Sequence, residues 1–500
     1  MEILSHILLG FNVSLQPLNL LFCFLGVLLG TLIGVLPGIG PVGAISILLP
    51  ITVKLSPITA VIMLAGVYYG SMYGGSTTSI LLNIPGEATT VVTCLDGYQM
   101  ARQGRAGPAL GIAAFGSFIA GTLSLLGLTF LAYPLTNFAL RFGPPEYFSI
   151  MVLALTVLSY LAQGPMLKAF IMALFGLILS YVGTDIVSGH MRFTFDILDL
   201  SDGIGLVPIV MGLFGISEVL ANVEETLKKE VIKTKIKNLL PTREDLARAK
   251  GAILRGTLVG FFLGILPGAG PIISSFVSYT LEKKCSKHPE QFGKGVIEGV
   301  AAPESANNAS AQGAFIPLLT LGIPPNVTMA ILFGALVIYG LQPGPLLMKD
   351  HPDFFWGIIV SMYIGNVMLL VLNLPLIPVW VQVLRVPYPI LFPLILLFCL
   401  IGAYTLSNSI FDVFVMIYFG IFGYLMRKFK YEGAPLVMAF VLGRLLEQNL
   451  RRSLIVSGGS FSVFVKRPLS GVILAIAFLL LLSSFVTSVR KKKPPTEEVI

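Results

Sequence analysis

A glycine–proline motif occurs twice in this chain of 500 residues. The first copy reads GTLIGVLPGIGP, from Gly30 to Pro41, and the second reads GFFLGILPGAGP, from Gly260 to Pro271. After the opening glycine the coinciding positions are Gly34/Gly264, Pro37/Pro267, Gly38/Gly268, Gly40/Gly270 and Pro41/Pro271. Both copies lie in strongly apolar sequence. A backbone break there is costly, because lipid cannot satisfy the freed N–H and C=O groups. A break made at matching places in two halves points to a binding site built from internal repeats, as in transporters with discontinuous helices.

Composition names the solvent. Hydrophobic residues make up 55% of the chain, charged residues only 12%, and the mean hydropathy is +0.88. Soluble domains average about 25% charged residues, so this chain is too apolar to be one of them. Apolar stretches near bilayer-crossing length recur, among them Leu18–Leu36, Ala109–Leu131, Ile150–Leu161, Phe355–Leu372 and Gly471–Val486. The expected fold is an all-α polytopic membrane protein with about 10 to 13 crossings, some of them broken.

The net charge of +8 does not indicate nucleic acid. Lysines and arginines form short clusters between apolar spans, the pattern of cytoplasmic loops. Cys23, Cys94, Cys285 and Cys399 are scattered, without CxxC spacing or histidines at ligand spacing, so neither a disulfide framework nor a metal site is expected. His190 and His351 fall in loop-like sequence. The N-terminus lacks a basic region ahead of its first apolar run and reads as a retained first segment.

The longest polar stretch runs from Glu224 to Lys250 and carries Lys228, Lys229, Lys233, Lys235, Lys237, Arg243, Arg248 and Lys250. It divides the chain into a first membrane half (1–222), a cytoplasmic linker (223–252), a second membrane half (253–489) and a cytoplasmic tail (490–500). Thr242 is the expected N-cap of a helix whose first turn holds Glu244 and Asp245.

Each half also carries two small, polar islands that read as irregular. In the first, YGSMYGGSTTS (Tyr69–Ser79) leads into Asn83-Ile84-Pro85-Gly86-Glu87. In the second, Pro303-Glu304-Ser305-Ala306-Asn307-Asn308 leads into Gly322-Ile323-Pro324-Pro325-Asn326. The Ile–Pro pairs align, as do Thr89 and Thr328. An inverted arrangement of the halves is favoured, since discontinuous helices meeting at mid-membrane are common in that architecture.

In the motif, proline removes a helix donor and the glycines permit positive φ and close approach. The expected product is a helix, a turn and a new helix start, whose free N–H groups favour an anion. Gly38, Gly40, Pro41, Gly268, Gly270 and Pro271 are therefore substrate-site candidates, against the plainer reading of a packing turn. Ser76, Thr77 and Thr78 join them, since hydroxyls donate to carboxylates; they equally bond back to helix carbonyls. Ser79, Asn326 and Thr328 are candidates for holding a coupling ion. Glu304 is the sharpest candidate, because an intramembrane carboxylate usually faces a pathway; it would carry a proton or hold a cation, with Asn307 and Asn308 on substrate. Glu87 and Asp96 flank the first island and are expected at an interface.

The ordered set of LPGIGP/LPGAGP, YGGSTTSILLNIPGEA and APESANNASAQGAFIPLLTLGIPPN resembles the large membrane subunit, the TctA-type permease, of the tripartite tricarboxylate transporters. The resemblance covers nearly the whole chain. It implies a small membrane subunit (TctB-type), a periplasmic solute-binding protein (TctC-type), and location in the bacterial inner membrane. It also implies ion-gradient-driven uptake of citrate or related carboxylates, with Na⁺ or H⁺ coupling and no other cofactor. An elevator-like plan with a scaffold and a moving part is expected from the same likeness, and a homodimer of the complex is allowed by it. The chain has no Walker A motif of the form GxxxxGK[ST]. A gradient-independent anion channel is the alternative. An intramembrane enzyme is a weaker one, as HExxH and GxSxG are both missing from the sequence.

Overall fold

The computed structural model describes residues 2–36, 40–161, 165–185, 187–224, 239–383 and 388–490. Pro37 and Gly38 of the first motif, linker residues 225–238 and the tail from Lys491 onward lie outside them. The described chain is overwhelmingly helical, with one two-stranded antiparallel sheet, Gly183–Thr184 against Met191–Arg192. Each apolar stretch singled out in the sequence falls, to within one residue, in a helix: Pro17–Val35, Ala106–Ala139, Pro144–Tyr160, Pro352–Asn373 and Pro468–Arg490. Among the described residues, 6 helices are long and apolar enough to cross a bilayer: Pro17–Val35, Pro57–Leu82, Ala106–Ala139, Leu206–Glu224, Pro352–Asn373 and Ile410–Lys428.

Local signals set the helix ends. Ser56 caps the Pro57–Leu82 helix by accepting from the Thr59 N–H, with Pro57 in the first turn where its missing donor costs nothing. Thr242 caps the Arg243–Ile265 helix as the sequence indicated: its Oγ1 accepts from the Asp245 N–H at 3.1 Å, and the Asp245 carboxylate accepts from the Thr242 N–H at 3.1 Å. Asp245 also pairs with Arg105 at 2.5 Å. Around the glycine–proline motifs, one helix ends at Val35 and the next begins at Gly40; one ends at Ile265 and the next begins at Gly270.

The chain forms two compact units, Met1–Leu140 with Gly205–Met426, and Arg141–Ile204 with Arg427–Ile500. In the first, helix pairs pack backbone to backbone. A Cβ on Gly26, Gly30 or Gly34 would fall within 3.0 Å of the carbonyl oxygens of Met63, Val67 and Ser71. A Cβ on Gly256, Gly260 or Gly264 would do the same to the carbonyls of Ala302, Ala306 and Ser310. Small residues every four positions let helices approach this closely where lipid provides no hydrophobic drive for association.

This packing corrects one expectation. Tyr69–Ser79 is not irregular but lies within the Pro57–Leu82 helix, and Pro303–Ser310 lies within the Glu298–Gly313 helix. Their small residues serve close packing, and several hydroxyls return to helix carbonyls, as Ser79 does to Gly75 at 3.0 Å. The breaks come just after. Asn83 (φ 58°) and Gly322 (φ 69°) end helices in left-handed caps, each followed by its Ile–Pro pair.

In the second unit, the short hairpin is held by ion pairs. Arg192 pairs with Asp185 and Glu447, and Arg451 pairs with the same two carboxylates. Asp185 is held well below the usual carboxylate range by the Ser188 hydroxyl, aided by the Val187 N–H and the guanidinium groups of Arg451 and Arg192. Arg444 donates to the carbonyls of Ser180, Val182 and Asp202. Elsewhere in this unit Arg467 pairs with Glu146 at 2.7 Å.

Candidate functional site

The Glu298–Gly313 helix is buried from Gly299 to Gly313, although it carries Glu304, Asn307, Asn308 and Gln312. Burying so many polar groups is tolerable only if they are partnered. Glu304 is fully buried. Ser76 Oγ donates to its Oε2 at 2.5 Å, Thr93 Oγ1 to its Oε1 at 2.5 Å, and Asn307 Nδ2 to Oε2 at 3.4 Å. These donors are neutral, and among the described residues no lysine or arginine is paired with Glu304.

The network extends through the next amide. Asn308 Nδ2 donates to Ser117 Oγ at 2.7 Å, to Asn307 Oδ1 at 2.7 Å and to the Glu304 carbonyl at 3.1 Å. Ser76 and Thr77 line a cavity of about 10 Å³ with Tyr73, Leu110, Ala113, Ala114, Asn373 and Ile377, which is room for about one water molecule. Beside it, Tyr73 Oη donates to Asn366 Oδ1 at 2.9 Å.

Glu87 is a second buried carboxylate. Thr89 Oγ1 donates to it at 2.5 Å. Its Cγ would stand 3.0 Å from a Cβ on Gly75, the residue preceding Ser76. The absent side chain at Gly75 thus leaves room for Glu87.

The other candidates fall elsewhere. Thr78 Oγ1 donates to the Val35 carbonyl at 2.6 Å, closing the end of the Pro17–Val35 helix ahead of the first motif. Ser79 Oγ donates to Thr90 Oγ1 at 2.8 Å. Gly40 (φ 62°) and Pro41 begin the Gly40–Thr52 helix, with open space where a Gly40 side chain would be. Gly268 and Gly270 both have positive φ, and the Gly268 N–H donates to the Pro325 carbonyl at 2.8 Å. Pro271 follows in the first turn of its helix. Next to that turn Asn326 caps the Val327–Ile338 helix through the Met329 N–H and donates to Tyr68 Oη at 3.2 Å. Thr328 is buried. The structure therefore gathers Ser76, Glu304, Asn307 and Asn308 into one network, and Gly268, Gly270 and Asn326 into another locus.

Several participants were not singled out from sequence. Thr93 and Ser117 are lone hydroxyls in runs without a motif, and Tyr73 and Asn366 meet across 293 residues of chain. Glu87 and Asp96 were expected at an interface, but both are buried, at 7% and 0% exposure. The reason is visible in their partners: hydroxyls serve Glu87, and backbone N–H groups serve Asp96.

Comparison with known proteins gives the family. Residues 20–438 match the tripartite tricarboxylate transporter TctA family. The chain belongs to this TctA family. It is 51% identical over 493 residues to an uncharacterized 52.8 kDa protein in the TAR-I ttuC' 3'region of Agrobacterium vitis, covering 99% of this chain and 98% of that one. A second Agrobacterium vitis protein, uncharacterized and in the TAR-II ttuC' 3'region, is 50% identical over 234 residues, which cover 47% of this chain and 97% of that protein. No solved structure matches the chain. As a TctA-family member with 6 long apolar helices among the described residues, it is a multi-pass membrane protein and a transporter component.

Proposed function

We propose that this chain is the permease subunit of a binding-protein-dependent secondary transporter. It imports citrate or a related carboxylate across the bacterial inner membrane, coupled to Na⁺ or H⁺. A small membrane subunit and a periplasmic binding protein complete the system.

The observation that carries this reading is the buried carboxylate of Glu304, served by Ser76, Thr93 and Asn307 with no paired cation among the described residues. An ionised carboxylate in such a place is costly unless a positive charge accompanies it. A proton or a Na⁺ arriving with the substrate supplies that charge. The neighbouring amides of Asn307 and Asn308 and the hydroxyl of Thr77 are groups suited to a carboxylate substrate.

The adjoining cavity of about 10 Å³ holds about one water and is too small for a tricarboxylate. Substrate passage therefore calls for helices to move. The two glycine-packed pairs, Pro17–Val35 with Pro57–Leu82 and Arg243–Ile265 with Glu298–Gly313, are the counterpart rigid pieces of an elevator-like, inverted-repeat plan.

The test is uptake of labelled citrate and related acids into proteoliposomes holding this chain and its small membrane partner, with loaded binding protein outside. Na⁺ and H⁺ gradients are imposed separately. Accumulation that needs the binding protein and one gradient supports the reading. Uptake that merely equilibrates, with no gradient dependence, overturns it in favour of a channel.

A further inference from the structure

Asp96 lies on the short Thr93–Arg102 helix and is fully buried. Its carboxylate accepts from a run of backbone N–H groups just before the Glu298–Gly313 helix. Oδ1 takes Gly295 at 2.8 Å and Val296 at 3.0 Å, and Gly293 reaches both oxygens at 2.9 and 3.0 Å. Tyr279 Oη donates to Oδ2 at 2.8 Å. Space is made for the carboxylate: a Cβ on Gly299 would collide with Asp96 Oδ2. Gln103, at the end of the same short helix, donates to the Lys294 carbonyl at 2.7 Å. The short helix is thereby fastened at both ends to the segment that leads into the Glu304 helix.

Thr93 sits three residues before Asp96, and residues at i and i+3 share a helix face. Its hydroxyl donates to Glu304 Oε1 at 2.5 Å. From this geometry we infer that Asp96 is a positioning residue for the Glu304 site. Its carboxylate clasps the Thr93–Arg102 helix to the 293–296 turn and so fixes the Thr93 hydroxyl on Glu304. The inference rests on the proposed role of Glu304 in ion coupling. Asp96 touches neither ion nor substrate; it acts through Thr93.

An aspartate suits the task in a way that asparagine does not. Both carboxylate oxygens are acceptors, and both are used by donors here. An asparagine would turn an NH₂ group toward one set of those donors.

The test is infrared difference spectroscopy on the purified full-length protein in lipid, read at the Glu304 carboxyl band. Loss of that band in Glu304→Gln assigns it. Thr93→Val removes one hydrogen bond and shifts the band. Asp96→Asn is expected to shift it in the same direction, and the double variant Asp96→Asn/Thr93→Val no further than Thr93→Val alone. A wild-type band position in folded Asp96→Asn, or shifts that add in the double variant, would overturn the inference. Should Asp96→Asn fail to fold, Tyr279→Phe removes a single donor and decides instead: a smaller shift of the same sign supports the clasp, and an unmoved band refutes it.

A second arm separates this inference from the reading beneath it. In citrate uptake under an imposed Na⁺ or H⁺ gradient, Asp96→Asn is expected to shift the half-saturating ion concentration roughly tenfold, in the same direction as Thr93→Val, as lost hydrogen bonding to a charged group allows. Gradient dependence that survives in Glu304→Gln refutes the coupling role of Glu304, while the band shifts still report whether Asp96 positions Thr93.

Discussion

Ser76 and Glu304 are 228 residues apart in the chain and joined by a 2.5 Å hydrogen bond in the fold. The bond brings the hydroxyl-rich face of the Pro57–Leu82 helix to the one carboxylate of the Glu298–Gly313 helix interior. If Glu304 takes the coupling charge, Ser76→Ala should shift ion dependence without abolishing it. Hydrogen bonds to charged groups contribute about 1.5–3 kcal/mol, and the Ser76 hydroxyl favours the ionised carboxylate, so the half-saturating ion concentration should change at least about tenfold, falling if the ion is a proton. Ion-titrated uptake in vesicles measures it, and an unchanged half-saturation would remove Ser76 from the site.

Glycine packing makes a separate prediction about stability. Gly34→Ala and Gly264→Ala each place a methyl group against a backbone carbonyl that cannot move aside alone. Overpacking of this kind costs about 1–3 kcal/mol. Both variants should lower the thermal unfolding midpoint of detergent-purified protein. Gly40→Ala meets open space and is penalised only by its left-handed backbone, by about 1–2 kcal/mol.

The turn at the second motif should matter more for transport than for assembly. Gly268 has φ 83° and donates to the Pro325 carbonyl. Gly268→Leu is expected to abolish uptake while leaving membrane insertion intact. Immunoblotting of membranes alongside uptake checks both halves, and near-normal uptake would remove this turn from the site.

In the second unit, pH should act through Asp185. Its folded-state pKa lies below the usual carboxylate value, chiefly through the Ser188 hydroxyl. A depressed carboxylate contributes stability that is present above the unfolded value, about 4, and is lost as pH falls through the folded value. The stability difference between wild type and Asp185→Asn should be flat above about pH 5 and shrink toward acid. Thermal unfolding across that range tests it; a difference that grows toward acid would contradict the assignment.

Much of this architecture was legible in the sequence, and the limits have physical causes. The interruptions at Val35–Gly40 and Ile265–Gly270 were readable because proline and glycine act locally. So was the Thr242 cap, whose partner is three residues away. Tyr69–Ser79 misled because glycine and serine serve both to break a helix and to let two helices touch; only the neighbouring Pro17–Val35 helix decides between them. Glu304 stood out as a charge in apolar sequence. Thr93 and Ser117 did not, since their partners Glu304 and Asn308 lie 211 and 191 residues away. Asp96 read as an interface residue because most of its donors are backbone groups, which leave no mark on side-chain sequence.

The most direct measurement is ion-gradient-driven carboxylate uptake by Glu304→Gln beside wild type, in the same vesicles with the same partners. Gln keeps the size of the side chain and one acceptor oxygen but has no carboxylate to take up a proton or hold a cation. The expected result is that wild type accumulates substrate under one of the two gradients, whereas the variant loses gradient-driven accumulation and at most equilibrates it. Accumulation by Glu304→Gln with the wild-type dependence on the gradient would contradict the assignment of coupling to this carboxylate.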